Sequence, residues 1–186
     1  MKLFIISDIH GSLTSFSKAI SQFEKEKSDY LVICGDYLNH GPRNNIPEGY
    51  DTKKLAEDLN RFKEKIIGVR GNCDSEVDQM LLHFPIMSES ANILLPSNKR
   101  VFVNHGHLYS EEDYQKILSE NTIIISGHTH IPVLEKKLNM IFVNPGSISI
   151  PKNNSESGYA LIESDFSFTN IKLCNLEGIV LKSLNI

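Results

Sequence analysis

Ile123 Ile124 Ile125 Ser126 Gly127 His128 Thr129 His130 is the stretch that decides how the rest of the chain is read. Three consecutive β-branched residues predict a buried strand, and the two histidines fall just beyond its end. Spaced by one residue at a strand exit, they can approach one small volume from different angles, as two neighbouring metal ions require. A lone His-x-His is more often an ordinary turn. The weight comes from four strand exits upstream that end in the same kind of side chain.

Working outward, Leu3 to Ile6 predicts a first strand, followed at once by Asp8, His10 and Gly11. Leu13, Phe16, Ala19, Ile20 and Phe23 then form one apolar helical stripe opened by Ser12. Tyr30 to Cys34 is a second apolar run, closed by Gly35 and Asp36. The breaker-rich run Asn39 to Tyr50 predicts a long surface loop, after which a helix resumes at Thr52 with Leu55, Leu59 and Phe62 inward. Ile66 to Val69 predicts a third strand, which exits into Arg70, Gly71, Asn72 and Cys73. Asp74, Glu76 and Asp78 read as acids at the front of a helix, with no catalytic role required.

Ile93 to Leu95 and Val101 to Val103 predict a hairpin around Pro96, Ser97 and Asn98, whose second strand delivers His105 and His107. Ser110 and Asp113 have the spacing of a capping box. Ile141 to Val143 ends in Asn144 Pro145 Gly146 Ser147. From Tyr159 onward the alternation of Phe166, Phe168 and Ile171, and then Ile179 to Leu181, predicts an antiparallel meander without ligands.

This order argues an α/β protein, mostly parallel at first and antiparallel later. In such sheets ligands gather beyond the carboxyl ends of the strands. With 186 residues, 40% of them hydrophobic, one domain spanning 1–186 is expected. A net charge of -4 gives no global footprint for a nucleic-acid backbone. Three cysteines, Cys34, Cys73 and Cys174, indicate neither a disulfide framework nor a thiolate zinc site, and fit a reducing compartment. The apolar start is too short for a signal peptide or membrane span, so a cytoplasmic location without membrane contact is expected.

Asp8, His10, Asp36, Asn72, His105, His128 and His130 supply two carboxylates, one amide oxygen and four imidazoles. That is too many for one tetrahedral zinc and suits two cations sharing a bridge, for which Asp36 is the natural carboxylate. Two cations about 3.5 to 4 Å apart with a bridging hydroxide can clamp an in-line displacement. The implied chemistry is hydrolysis at phosphorus.

Asp8-x-His10, Gly35-Asp36, Gly71-Asn72, His105 and Gly127-His128-Thr129-His130 together resemble the ordered signature of the calcineurin-like metallophosphoesterases. Longer runs, Leu38 to Asn44, Val69 to Leu82 and Asn144 to Ser147, resemble the bacterial YfcE-type phosphodiesterases across nearly the whole chain. The resemblance implies a four-layer sandwich of two mixed β-sheets flanked by helices. It also implies that Asp8, His10, Asp36 and His130 hold one metal, while Asp36, Asn72, His105 and His128 hold the other.

In one respect the chain departs from the wider family. Many members place a histidine directly after the metal-binding Asn, where it can protonate the leaving oxygen, and this chain has Cys73. A thiol is a weak donor with an ordinary pKa of about 8.5, so diesters with good leaving groups are the expected substrates. Asn72, Cys73 and His105 are the catalytic candidates, and Arg43, assisted by His40 and Asn39, is the candidate for the non-bridging phosphate oxygens. His107 is a candidate support for His105, although it and His83 read first as structural. Manganese is the expected metal, with zinc, iron, nickel or cobalt as alternatives.

A phosphomonoesterase or protein phosphatase is the second reading within hydrolases. A non-catalytic metal-binding scaffold similar to the retromer subunit of this fold is the third. A DNA nuclease is disfavoured by the acidic balance, which leaves a small phosphodiester as the expected partner. The late strands leave an edge through which copies could pair as a homo-oligomer.

Overall fold

The computed structural model describes residues 1–186. The first half alternates strands and helices: β1 (Lys2–Ile6), α1 (Leu13–Lys25), β2 (Tyr30–Ile33), α2 (Thr52–Asn60), β3 (Ile66–Gly68) and α3 (Glu76–Leu81). The hairpin of β4 (Ser90–Leu94) and β5 (Arg100–Asn104) follows, then α4 (Glu111–Ile117) and β6 (Ile123–Ile125). The chain ends in β7 (Val133–Lys137), β8 (Met140–Asn144), β9 (Gly158–Ser164), β10 (Thr169–Asn175) and β11 (Val180–Asn185).

Two mixed sheets result, with strand orders β11-β10-β9-β1-β2-β3 and β4-β5-β6-β8-β7. Strand β1 pairs in parallel with β2 and antiparallel with β9, so it joins the early parallel half of its sheet to the late meander. The alternation of each strand sorts its side chains between layers. Phe4 and Ile6 of β1 pack toward α1 and α2, while Leu3 and Ile5 face the second sheet. Val101, Val103, Ile123 and Ile125 meet them from that sheet, and Phe102 and Ile124 turn outward beneath Tyr114 of α4. Three apolar interiors separated by two sheets make four layers, the architecture expected for this chain.

Helix entries follow from local chemistry. The Ser12 hydroxyl accepts from the Ser15 N–H at 3.2 Å to cap α1, and Ser110 with Asp113 forms the capping box of α4. Strand β7 carries only one fully buried residue, Leu134, and its charged run Glu135 to Lys137 hides it from a hydrophobicity reading. Phe166 and Phe168 lie in the turn before β10 and are exposed, so the alternation that predicted strand there begins too early. No helix is long and apolar enough to cross a membrane.

Candidate metal centre

Five strand exits converge at one end of the sandwich. Asp8 and His10 follow β1, Asp36 follows β2, Asn72 follows β3, His105 follows β5, and His128 and His130 follow β6. The Asp8 carboxylate is fully buried; its Oδ2 accepts from the His128 N–H at 3.1 Å, and its Oδ1 has no hydrogen-bond partner. That orphaned oxygen lies 3.3 Å from His130 Nε2 and 3.8 Å from His10 Nε2. Asp36 Oδ2 stands between two imidazoles, 3.7 Å from His10 Nε2 and 3.5 Å from His105 Nε2. On the far side Asn72 Oδ1 is 3.0 Å from His105 Nε2 and 2.7 Å from His128 Nδ1.

The ring orientations are set by backbone carbonyls. His10 Nδ1 meets Asn39 O at 2.8 Å, His105 Nδ1 meets Cys34 O at 2.6 Å, and His130 Nδ1 meets Ile150 O at 2.7 Å. A carbonyl only accepts, so each Nδ1 carries the proton and each Nε2 presents a lone pair to the cluster. His10 Nε2 and His130 Nε2 therefore face each other at 3.2 Å as two acceptors, beside an unpartnered carboxylate oxygen. Such a set is satisfied by a cation and by little else. Burial also pushes the His10 and His128 imidazoles below their ordinary range, keeping them neutral as ligands must be. Burial acts to raise the Asp8 carboxyl, but the His130 and His105 rings beside it hold it below the usual value.

Five of the seven side chains belong to residues in the left-handed region: Asp8 (φ 55), His10 (φ 49), Asp36 (φ 57), His128 (φ 66) and His130 (φ 61). Each costs about 1 kcal/mol or more for a residue with a Cβ. Bent backbones turn the chain sharply after each strand and aim consecutive ligands inward. Gly71 permits a close approach of two of these loops, because a Cβ there would overlap the Asp36 carboxylate and backbone nitrogen.

A family model described as the calcineurin-like phosphoesterase superfamily domain matches residues 1–166. The chain belongs to that superfamily. It is 48% identical over 165 residues to the phosphodiesterase YfcE of Escherichia coli strain K12, covering 89% of each protein. The solved structure of Escherichia coli YfcE, described as a phosphoesterase, superposes with a TM-score of 0.92 at 43% identity, over 99% of this chain and 98% of that one. Vacuolar Protein Sorting 29 from Cryptosporidium parvum shares the fold, with a TM-score of 0.70 at 15% identity, over 100% of this chain and 97% of that one.

A cleft of about 480 Å³ opens over the candidate ligands Asp36, Asn72, His128 and His130 and is lined also by Arg43, Asn44, Cys73, Thr129 and Lys152. A larger hollow of about 1030 Å³ beside Phe23 and Phe62 contains none of the seven candidate ligands. Arg43 lies in the cleft as its proposed contact requires, whereas Asn39 and His40 do not line it. Asn39 instead accepts from His10 Nδ1 at its backbone carbonyl and from the Gly41 N–H at Oδ1, 2.8 Å away, so it positions a candidate ligand. His40 packs edge-on against Tyr50 with ring centroids 5.5 Å apart. His107 packs against the rings of both His105 and His128, at 5.2 and 6.0 Å between centroids, without bonding either. Cys73 borders the cleft, and burial together with the Asp36 carboxylate pushes its thiol up to about 12.

Sequence reasoning missed two residues. Asp74 is a buried clasp: Oδ2 accepts from Asp36 N at 2.9 Å and Gly71 N at 2.7 Å, and Oδ1 accepts from Tyr37 N at 2.9 Å. Burial and the neighbouring Asp36 still raise its carboxyl to about 6, against the pull of those three N–H groups. Its apparent place at a helix entry gave no hint of this, since α3 is capped by Ser75 and Asp78 instead. Lys152, an exposed loop lysine outside any motif, left no signal at all.

Proposed function

We propose that this chain is a metal-dependent phosphodiesterase that works with two divalent cations, manganese before zinc, iron, nickel or cobalt. The observation that carries the reading is the convergence of seven donor side chains, with His10 Nε2 and His130 Nε2 facing each other as acceptors beside the unpartnered Asp8 Oδ1. Asp8, His10 and His130 would hold one cation and Asn72, His105 and His128 the other, with Asp36 reaching both; the grouping Asp8-His10-His130 supports the first site, and the groupings His10-Asp36-Cys73 and Asp8-Asp36-His105 support Asp36 as the shared residue. When bound, such a pair supplies Lewis-acid stabilisation of the phosphoryl oxygens and lowers the pKa of water toward neutrality.

The remaining work falls to the protein's own groups. Carbonyls of Asn39, Cys34 and Ile150 keep three imidazoles in one tautomer and one orientation. Arg43 reaches the non-bridging oxygens of the diester from the cleft wall and fixes the phosphorus in line. Cys73 stays a neutral thiol at physiological pH and donates only weakly to a departing oxygen. Diesters with acidic alcohols are therefore the substrates best served, and poorer leaving groups are slow. The scaffold reading loses ground because no candidate ligand is missing.

The test is hydrolysis of bis(4-nitrophenyl) phosphate after exhaustive chelation and single-metal reconstitution. Activity should vanish with the metal and return most fully with manganese. Full activity in stripped protein would overturn the proposal.

A further inference from the structure

Arg43 and Lys152 stand on the same cleft but come from different loops, one after β2 and one after β8. Lys152 is held by its backbone: its N–H donates to the His130 carbonyl at 3.2 Å, and its own carbonyl accepts from the Ser155 N–H at 3.1 Å. The residue is thus tied directly to a ligand loop. Neither cation forms an ion pair with any carboxylate within 4.0 Å. The only carboxylate lining the cleft is Asp36, which belongs to the ligand set. The walls thus carry two unpaired positive charges and no opposing negative one. They also hold no phenylalanine, tyrosine, leucine, isoleucine or valine, so there is no apolar platform for an acyl chain.

A phosphodiester has one negative charge, shared between two non-bridging oxygens that Arg43 can take together. Lys152 is then a cation in excess of what the reacting group needs. We infer that the substrate is a small diester bearing a second fixed negative charge, a carboxylate or phosphate, on one alcohol group, and that Lys152 reads that charge. The inference rests on the phosphodiesterase reading above and adds its substrate class. Lys152 here sets specificity and takes no part in bond cleavage.

Three substrates separate the possibilities: 4-nitrophenyl phosphodiesters whose second alcohol is propyl, 2-carboxyethyl or 2-phosphonooxyethyl. All share one leaving group and differ only in the remote charge. The manganese-loaded protein should show kcat/KM about fivefold or more higher for one or both anionic arms, through KM, and the advantage should shrink as salt is raised. The arm with the greater advantage identifies carboxylate or phosphate as the natural group. Lys152→Gln should bring the ratio of anionic to propyl arms near one, and Lys152→Arg should restore it. Arg43→Ala should lower all three together.

The same contrast should appear without turnover, as a tighter calorimetric Kd for methyl(2-carboxyethyl)phosphinate than for methyl(propyl)phosphinate, lost in Lys152→Gln. Equal values for all arms in the unaltered protein, or a preference that survives Lys152→Gln, would overturn the inference while leaving the hydrolase reading intact. Failure to hydrolyse any of the three would instead strike the hydrolase reading itself.

Discussion

The two ends of strand β1 belong to different kinds of protein. Along its length it pairs with β9, and through it with β10 and β11, in antiparallel register interrupted only by a shift at Leu173 and Cys174, with Ala160, Ile162, Ile171 and Leu173 buried between the sheets. Its carboxyl end runs into Asp8 and His10, both left-handed, both buried and both polar. One region pairs mostly as extended strands do, and the other places buried polar residues in left-handed backbone. The difference teaches where stability and chemistry are lodged: the meander stabilises the frame, and the frame holds the ligand loops in conformations they would not adopt alone.

The sharpest way to break this comparison is Asp36→Asn. Losing a carboxylate that serves both halves of the centre should lower diesterase activity by more than the roughly 100-fold typical of outer-shell changes, and metal content should fall with it. The fold should survive, because removing charge from a crowded acidic site relieves repulsion with Asp74. Metal analysis and circular dichroism decide both points, and parent-like turnover would refute the role given to Asp36.

Ile171→Ala is the complementary change in the meander. Removing a fully buried side chain between the sheets should cost about 2 to 5 kcal/mol of stability while leaving kcat and metal content near parent values below the new Tm. A variant that loses activity in proportion to stability would mean the two regions are coupled more tightly than argued.

Cys73→His should have the smallest effect. A better donor at the cleft wall should raise turnover several-fold on diesters with poor leaving groups and change little on nitrophenyl esters. Unchanged selectivity would leave Cys73 as a packing residue.

The sequence disclosed the four-layer arrangement unevenly. Strands such as Ile123–Ile125 and Leu3–Ile6 were legible because burial on both faces leaves an unbroken apolar run. Strand β7 was not, because it is an edge with polar residues on most positions. The seven ligands stood out through their repeated place after apolar runs, next to glycines that permit a sharp turn. Their left-handed backbones could not be read from residue type, since Asp and His, though enriched in that region, still adopt it in only a minority of cases. Asp74 escaped for a related reason: its partners Asp36 and Tyr37 lie far away in sequence, and only the packing of two loops brings three N–H groups to one carboxylate.

The central claim is that these loops cage two cations through a shared Asp36. Anomalous diffraction from a crystal soaked in manganese tests it most directly. Two peaks about 3.5 to 4 Å apart should appear, one beside Asp8, His10 and His130 and the other beside Asn72, His105 and His128, with the Asp36 carboxylate between them. A single peak, or peaks away from Asp36, would contradict the account.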